Sequence, residues 1–329
     1  MAEATNAAFA IVIPARDAAS LLRRTLPALA PLAATHEVLV VDDGSRDDTA
    51  EVAVSLGARV LRLPSPGGPA AARNAGARAA AGSPEILVFL DADVLPHAET
   101  VTRLLAPFSD PGVAAAFGSY DDAPPERSWI SLYKNLAHHF VHQRSGIEAS
   151  TFWAGCGAIR RQVLLSVGGF DERYRHPSIE DVELGYRLRA ARQGIRLVPD
   201  AQVTHLKRWT LATWVRSDLC HRAIPWARLL RAGRGLPRDL NFTVTDRLAS
   251  ALVALGVLGL AAAPLWLPGL GVAVVCGIAA ATLDLPLLRL CARRGSRGFA
   301  LVAAGLHLTH RALGLAGLAV GLALPPPRK

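Results

Sequence analysis

The sequence predicts an α/β protein, a mostly parallel sheet with helices on both faces, followed by C-terminal transmembrane helices. Three observations predict it. Short apolar runs alternate with helix-length segments over residues 1–206. Two of those runs stop abruptly in carboxylates, at Asp42-Asp43 and at Asp91-Ala92-Asp93. The 51% hydrophobic content is unevenly placed, with frequent charges before residue 248 and Ala, Leu, Gly and Val dominating residues 248–324 of the C-terminal membrane region 248–329.

Ala10-Ile11-Val12-Ile13 is the first strand, stopped by Pro14. It is too short to be a signal peptide. Residues 17–29 read as a helix with Leu22, Leu26 and Leu29 on one face. Val38-Leu39-Val40-Val41 is a second strand, and residues 48–56 are a helix stopped by Gly57. Residues 58–63 form a third strand. A turn-rich stretch leads to an Ala-rich helix over residues 70–81 that carries Arg73, Asn74 and Arg78. Residues 110–150 are less regular, apart from an amphipathic helix over 129–143 with Trp129, Tyr133 and Phe140.

The run Ile86-Leu87-Val88-Phe89-Leu90 organises the rest. Apolar on both faces, it reads as a buried parallel strand, and ligands of open α/β sheets bind at the carboxyl ends of such strands. Asp91 and Asp93 stand there, two residues apart and so pointing the same way. Such a pair makes a hard-oxygen site for Mg²⁺ or Mn²⁺ carrying phosphates, although Asp is also common in plain turns. Gly67-Gly68-Pro69 before the Ala-rich helix reads equally as a phosphate cradle or an ordinary turn. Gly155 and Gly157 allow close backbone approach to a sugar or a neighbouring strand. Ser178, three residues before Asp181, fits a capping box opening a helix over 182–192, with Glu183 and Arg187 as an i,i+4 pair. The competing reading makes Glu180 or Asp181 a general base. His205 gains weight if the fold returns it beside Asp93.

The net charge is +9, much of it arginine, and the four cysteines show no pairing or metal spacing, which reads as reduced thiols in a cytoplasmic part. Residues 207–247 interleave Trp209, Trp214 and Trp226 with Lys207, Arg208, Arg216, Arg222, Arg228, Arg231, Arg234 and Arg238. This pattern suits a membrane interface better than nucleic acid, because apolar segments follow at once. Residues 248–267 are one span. Residues 270–288 are a second, interrupted by Asp284 and Pro286, and residues 299–324 a third candidate containing His307, His310 and Arg311. The Arg-rich flanks, including Arg289, Arg293, Arg294 and Arg297, put the catalytic part on the cytoplasmic side of a multi-pass cell (inner) membrane protein. His307 and Arg311 share a helix face and would meet a lipid phosphate or pair with Asp284.

The ordered set Val41-Asp42-Asp43-Gly44-Ser45, Ala72-Arg73-Asn74-Ala75-Gly76, Asp91-Ala92-Asp93 and Glu180-Asp181 resembles the family 2 inverting glycosyltransferases. The resemblance covers about residues 9–207 and implies their GT-A, Rossmann-like fold. By that resemblance Pro14 and Arg16 lie on the nucleotide-side loop, and Asp17 stands in for the family's usual Asn-Glu. Asp43 would bind the nucleobase, with Arg73 a further nucleotide contact. Asp91 would face the ribose side and share the metal with Asp93, with His205 nearby. Arg160-Arg161 and Val167 to Asp171 resemble the acceptor-side block, and Asp181 would be the catalytic base beside Glu180. The implied activity is transfer of a sugar from a nucleotide-diphosphate donor to a lipid or lipid-linked acceptor. Two rivals are a sugar nucleotidyltransferase, which lacks its Gly-rich, Lys-bearing loop at Pro14-Ala15-Arg16-Asp17, and a non-catalytic membrane assembly subunit.

Overall fold

In a computed structural model, residues 8–232 and 243–324 are described. Arg234, Arg238 and the Arg328-Lys329 tail lie outside the described residues. The chain divides into two compact units, one made of Met1–Pro125 and Ser145–Lys207, the other of Glu126–Arg144 and Arg208–Lys329.

The first unit is built on one eight-stranded sheet. Its strands are β1 (Phe9–Ala15), β2 (Glu37–Asp42), β3 (Arg59–Arg62), β4 (Ile86–Leu90), β5 (Val94–Pro96), β6 (Val113–Tyr120), β7 (Cys156–Arg160) and β8 (Gly194–His205). The order is β3-β2-β1-β4-β7-β6-β8-β5. The half β3-β2-β1-β4 is parallel. In the other half, β7 runs antiparallel between β4 and β6, β8 is parallel to β6, and β5 is antiparallel to β8. All five residues of β4 are buried, as the unbroken apolar run requires.

Three local expectations change. The first helix starts at Ala19, because Asp17 takes a left-handed φ of 48° and cannot enter a right-handed helix. It ends at Thr25 and tightens into a 3-10 turn at Leu26–Leu29, which holds Pro27. Strand β6 occupies a stretch read as irregular. Its Ala-rich sequence has little β-propensity, and burial between neighbours decides it. The helix opening after Ser178 runs Glu180–Ala190 with Ile179 at its N-cap and no side-chain cap bond, so the capping box does not form. Glu183 and Arg187 do pair, at 2.7 Å.

The second unit is helical. Its Trp129–Arg144 helix packs Leu132, Tyr133 and Leu136 with Trp209, Trp214, Leu287, Leu290, Cys291, Phe299 and Ala303. Val244–Ala262 and Pro268–Leu283 form a close hairpin, in which a Cβ on Gly259 would lie 2.7 Å from the Gly269 carbonyl oxygen. Among the described residues, two unbroken helices have the length and apolarity of a span, Val244–Ala262 (19 residues) and Arg297–Ala323 (27 residues). The interrupted segment is instead a bent pair, Pro268–Leu283 and Leu285–Arg294, turned by 70° at Asp284. Pro286 sits in the first turn of the new helix, where its missing N–H costs nothing.

Several charged and polar groups inside this unit pair with one another. Arg311 bonds the Asp284 carboxylate at 2.6 Å and that of Asp246 at 3.2 Å, so the helix-pairing reading of Arg311 is the one realised. The Tyr133 hydroxyl meets His307 Nδ1 at 2.8 Å. Asp218 takes Lys134, the Trp214 indole N–H and His310.

Candidate active site

The residues singled out on the sequence fall into two layers at the carboxyl ends of the strands. The first ties loops together. Asp43 is buried, and its two carboxylate oxygens accept the backbone N–H groups of Gly67 (2.6 Å) and Gly68 (2.8 Å). The donors that would have cradled a phosphate are therefore held by an aspartate, and the ordinary-turn reading of Gly67-Gly68 prevails. Gly68 is required there: its φ is +89°, and a Cβ would lie 2.4 Å from the Arg175 carbonyl oxygen. Asp17 accepts the Arg46 N–H at 2.7 Å, while the Asp17 N–H donates to the Ser45 hydroxyl at 3.0 Å. Pro14 does not stop the first strand as the sequence suggested: β1 runs on to the buried Ala15, with Pro14 opposite Val41, and Arg16 is exposed just beyond it.

The second layer is a buried charge cluster. Arg73, 4% exposed, donates from Nη2 to Asp91 at 2.7 Å and from Nη1 to Glu180 at 2.9 Å. Burial alone would lower its pKa, but Asp91, Glu180 and Asp181 outweigh that and raise it. Its Nε is buried without a hydrogen-bond partner. The other oxygen of Glu180 accepts the Ser178 N–H at 2.8 Å. Asp181, next in sequence and partly exposed, accepts the N–H groups of Val182 (2.8 Å) and Ala154 (3.2 Å). Burial first, and the Glu180 charge second, push it up to about 7, against the opposing pull of Arg73 and the two N–H groups. A carboxyl group with that pKa is suited to general-base work near neutral pH.

Antiparallel pairing of β5 with β8 sets Val94 opposite His205, and the Leu206 N–H donates to the Asp93 carbonyl at 2.9 Å. His205 Nε2 therefore comes 3.6 Å from Asp93 Oδ2, the meeting on which the histidine's role depended. Burial would raise Asp93, but the imidazole, with Lys207 behind it, holds the carboxyl below its usual range. Among the described residues no group of three or more His, Cys, Asp or Glu forms a metal cage. Asp93 and His205 would supply two ligands. They fit a divalent cation that takes its remaining ligands from a diphosphate and water, and the imidazole favours Mn²⁺ over Mg²⁺. The same structure ties Asp91 to Arg73.

Two residues, Tyr120 and Trp153, were missed on the sequence, and Asn74 was quoted there without a role. Tyr120 stacks on the His205 ring, with centroids 4.2 Å apart and planes 9° apart, and Trp153 meets Tyr120 edge-on at 4.8 Å. Asn74 clamps Phe170, accepting its N–H and donating to its carbonyl, each at 2.8 Å. Arg160 does not reach the site. Register pairs it with Ile86 at the far end of β4, and its guanidinium bonds the Val113 and Phe108 carbonyls. Arg161 bonds the Ala77 carbonyl. Gly155 and Gly157 make room for the rings of Trp153 and Phe152, which a Cβ would approach to 2.8 Å and 2.5 Å.

Residues 10–168 match the model of glycosyl transferase family 2, and with the GT-A-type sheet around them they are a glycosyltransferase domain of that family. The chain is 35% identical over 216 residues to a pre-mycofactocin glycosyltransferase of Mycobacterium tuberculosis, covering 62% of this chain and 44% of that one. It is 33% identical over 226 residues to a validoxylamine A glucosyltransferase of Streptomyces hygroscopicus, covering 55% of this chain and 51% of that one. It thus spans about half the length of these relatives. A mannosyltransferase of Pyrobaculum calidifontis, solved with GDP-Man and Mn²⁺, superposes with a TM-score of 0.60 at 19% identity, covering 96% of this chain and 87% of that one. That likeness is one of fold.

Proposed function

We propose that the chain is an inverting glycosyltransferase that moves a sugar from a nucleotide-diphosphate donor to a lipid or lipid-linked acceptor at the cytoplasmic membrane face. The observation that carries the reading is Asp181. It is a carboxyl group pushed up to about 7, held by two backbone N–H groups beside the Arg73–Asp91–Glu180 cluster. Residues 1–206 are the catalytic domain in this reading, residues 207–247 the interface segment and residues 248–329 the membrane region. The apolar helices support the lipid acceptor, and the Arg-rich flanks support the cytoplasmic face. The mannosyltransferase's GDP-Man and Mn²⁺, and the glucosyltransferase name of the Streptomyces relative, support a sugar-nucleotide donor.

In the reaction, Arg73 holds Asp91 and Glu180 in fixed geometry, so the donor's nucleotide meets a preformed edge. Asp17, Asp43 and Arg16 line the loops offered to the nucleotide. Asp93 and His205 would hold Mg²⁺ or Mn²⁺, which supplies charge neutralisation of the leaving nucleoside diphosphate. Asp181 accepts the acceptor hydroxyl proton as the oxygen attacks the anomeric carbon in line, giving inversion in one displacement. Glu180 keeps the pKa of Asp181 high by its charge.

The test is nucleoside diphosphate release from a panel of UDP-, GDP- and dTDP-sugars, with purified protein in detergent, Mn²⁺ or Mg²⁺, and membrane lipid extract present or omitted. Release from one donor that requires both metal and lipid is the expected result. Release that ignores the lipid extract overturns the lipid acceptor. Donor binding without release from any donor overturns the enzyme reading.

A further inference from the structure

Three helices of the second unit have the apolarity of membrane segments, yet their geometry does not let all of them stand upright. The turn at Asp284 rotates the chain by 70°. The Arg297–Ala323 helix then folds back along Leu285–Arg294. Phe299 and Ala303 pack with Leu287, Leu290 and Cys291, while His307 and Arg311, further on, reach Asp284 at 3.5 Å and 2.6 Å. A helix antiparallel to Leu285–Arg294 inherits its steep angle to Pro268–Leu283. If the 244–283 hairpin lies along the bilayer normal, the Arg297–Ala323 helix does not.

Charge decides which of the two stands upright. The hairpin has no Asp, Glu, Lys or Arg between Arg247 and Asp284, and its tip carries Trp266, a residue that favours a membrane–water boundary. Its outer positions are apolar and exposed, with Leu258 and Val275 each 66% exposed. The Arg297–Ala323 helix differs. The 211–231 segment runs beside it in the same direction, from Asp218 at His310, through Ala223 at Gly317 and Ala227 at Gly321, to Arg231, which donates to the Leu322 and Leu324 carbonyls at 2.7 Å each. That companion carries Arg216, His221, Arg222, Arg228 and Arg231. If the long helix crossed the bilayer, this row of cations would cross with it.

We propose that the Arg297–Ala323 helix and the 211–231 segment lie side by side in the plane of the bilayer, at the boundary of headgroups and acyl chains, and that only the 244–283 hairpin crosses. The partner is the phosphate-bearing headgroup layer. The arginines suit its charge, and Leu301 (78% exposed), Leu318 and Val320 suit its apolar side. The inference rests on the membrane attachment proposed above and goes beyond it, replacing two or three spans with two.

Depth measurement in liposomes tests it. In full-length protein carrying Cys220→Ser, the other three thiols being buried, single spin labels are placed by Leu258→Cys, Val275→Cys, Leu301→Cys, Thr309→Cys and Val320→Cys. Accessibility to oxygen against a water-soluble nickel chelate reads the depth of each. The expected result is two deep labels in the hairpin and three labels of equal, shallow depth along the long helix. A deep label at 309 with shallow ones at 301 and 320 is the profile of a span and overturns the inference alone. Water-exposed labels at 258 and 275 overturn the membrane attachment itself. A hairpin label lost to misfolding is replaced by its neighbour on the exposed face, Leu260→Cys or Ile278→Cys.

Discussion

Both units of the molecule hold an arginine between two carboxylates, and the two clusters do opposite things. Arg73, 4% exposed, faces Asp91 and Glu180, and Arg311, 8% exposed, faces Asp284 and Asp246. Around Arg311 the remaining donors also find partners, in the Ser250 hydroxyl and the Asp246 carbonyl, and the cluster closes on itself. Around Arg73 it stays open. Asp181 stands beside it with backbone N–H partners only and a raised pKa, and the Arg73 Nε has no partner. One site is finished as a structural joint. The other keeps a third carboxyl group, Asp181, beside the two that Arg73 pairs, and that is where a proton can be held.

The largest effect that distinguishes them is catalytic. Asp181→Asn is expected to lower kcat by about 10²–10⁴-fold with little change in donor binding, whereas Arg311→Met leaves turnover per folded molecule unchanged. Steady-state kinetics alongside a donor-binding titration read both, and equal losses from the two variants would erase the distinction. Asp93→Ala is expected to abolish the metal dependence of transfer, and the fall in Mn²⁺ affinity in the presence of nucleoside diphosphate checks it independently of turnover.

Stability should then make the clusters look alike. Arg73→Ala and Arg311→Ala each strand two carboxylates, so each is expected to cost about 3–5 kcal/mol, read as a lowered midpoint in thermal unfolding. The exposed Arg62–Glu51 pair is the contrast, and Arg62→Ala should cost under about 1 kcal/mol.

The smallest and sharpest test is pH. Transfer should rise as pH climbs through about 7, because Asp181 must lose its proton to act as base. Stability runs the other way. A carboxyl group raised from 3.8 to about 7 favours the folded state while protonated, and that contribution is lost as pH rises through about 7. Asp181→Asn should flatten both profiles, and a transfer profile that keeps its rise near 7 in this variant assigns the base elsewhere.

The sequence made the parallel half of the sheet legible, because β1, β2 and β4 are apolar runs and two of them, β2 and β4, lead straight into carboxylates. It hid the other half. Strand β6 is written in alanine, and β5 is three residues long and exists only because β8 pairs with it. The chemistry shows the same split. Asp91, Asp93 and Asp181 stand out as residue types at strand and helix ends, whereas the Tyr120–His205 stack depends on β6 and β8 being neighbours, a fact no local pattern carries. Arg160 was misplaced for that reason as well: only the antiparallel register of β7 shows that it points back to the start of β4. In the helical unit, the break at Asp284 and Pro286 was visible, but its 70° turn was not.

The three residues Trp153 to Gly155 touch three parts of the site at once. The Gly155 carbonyl takes the Asp91 N–H at 3.1 Å, the Ala154 N–H holds Asp181, and the Trp153 ring braces Tyr120 against His205. An engineer who grafts another enzyme's loop here to change the acceptor would therefore retune the donor's end of the reaction in the same stroke. Libraries meant to alter the acceptor should leave this tripeptide's backbone untouched and vary the side chains around it.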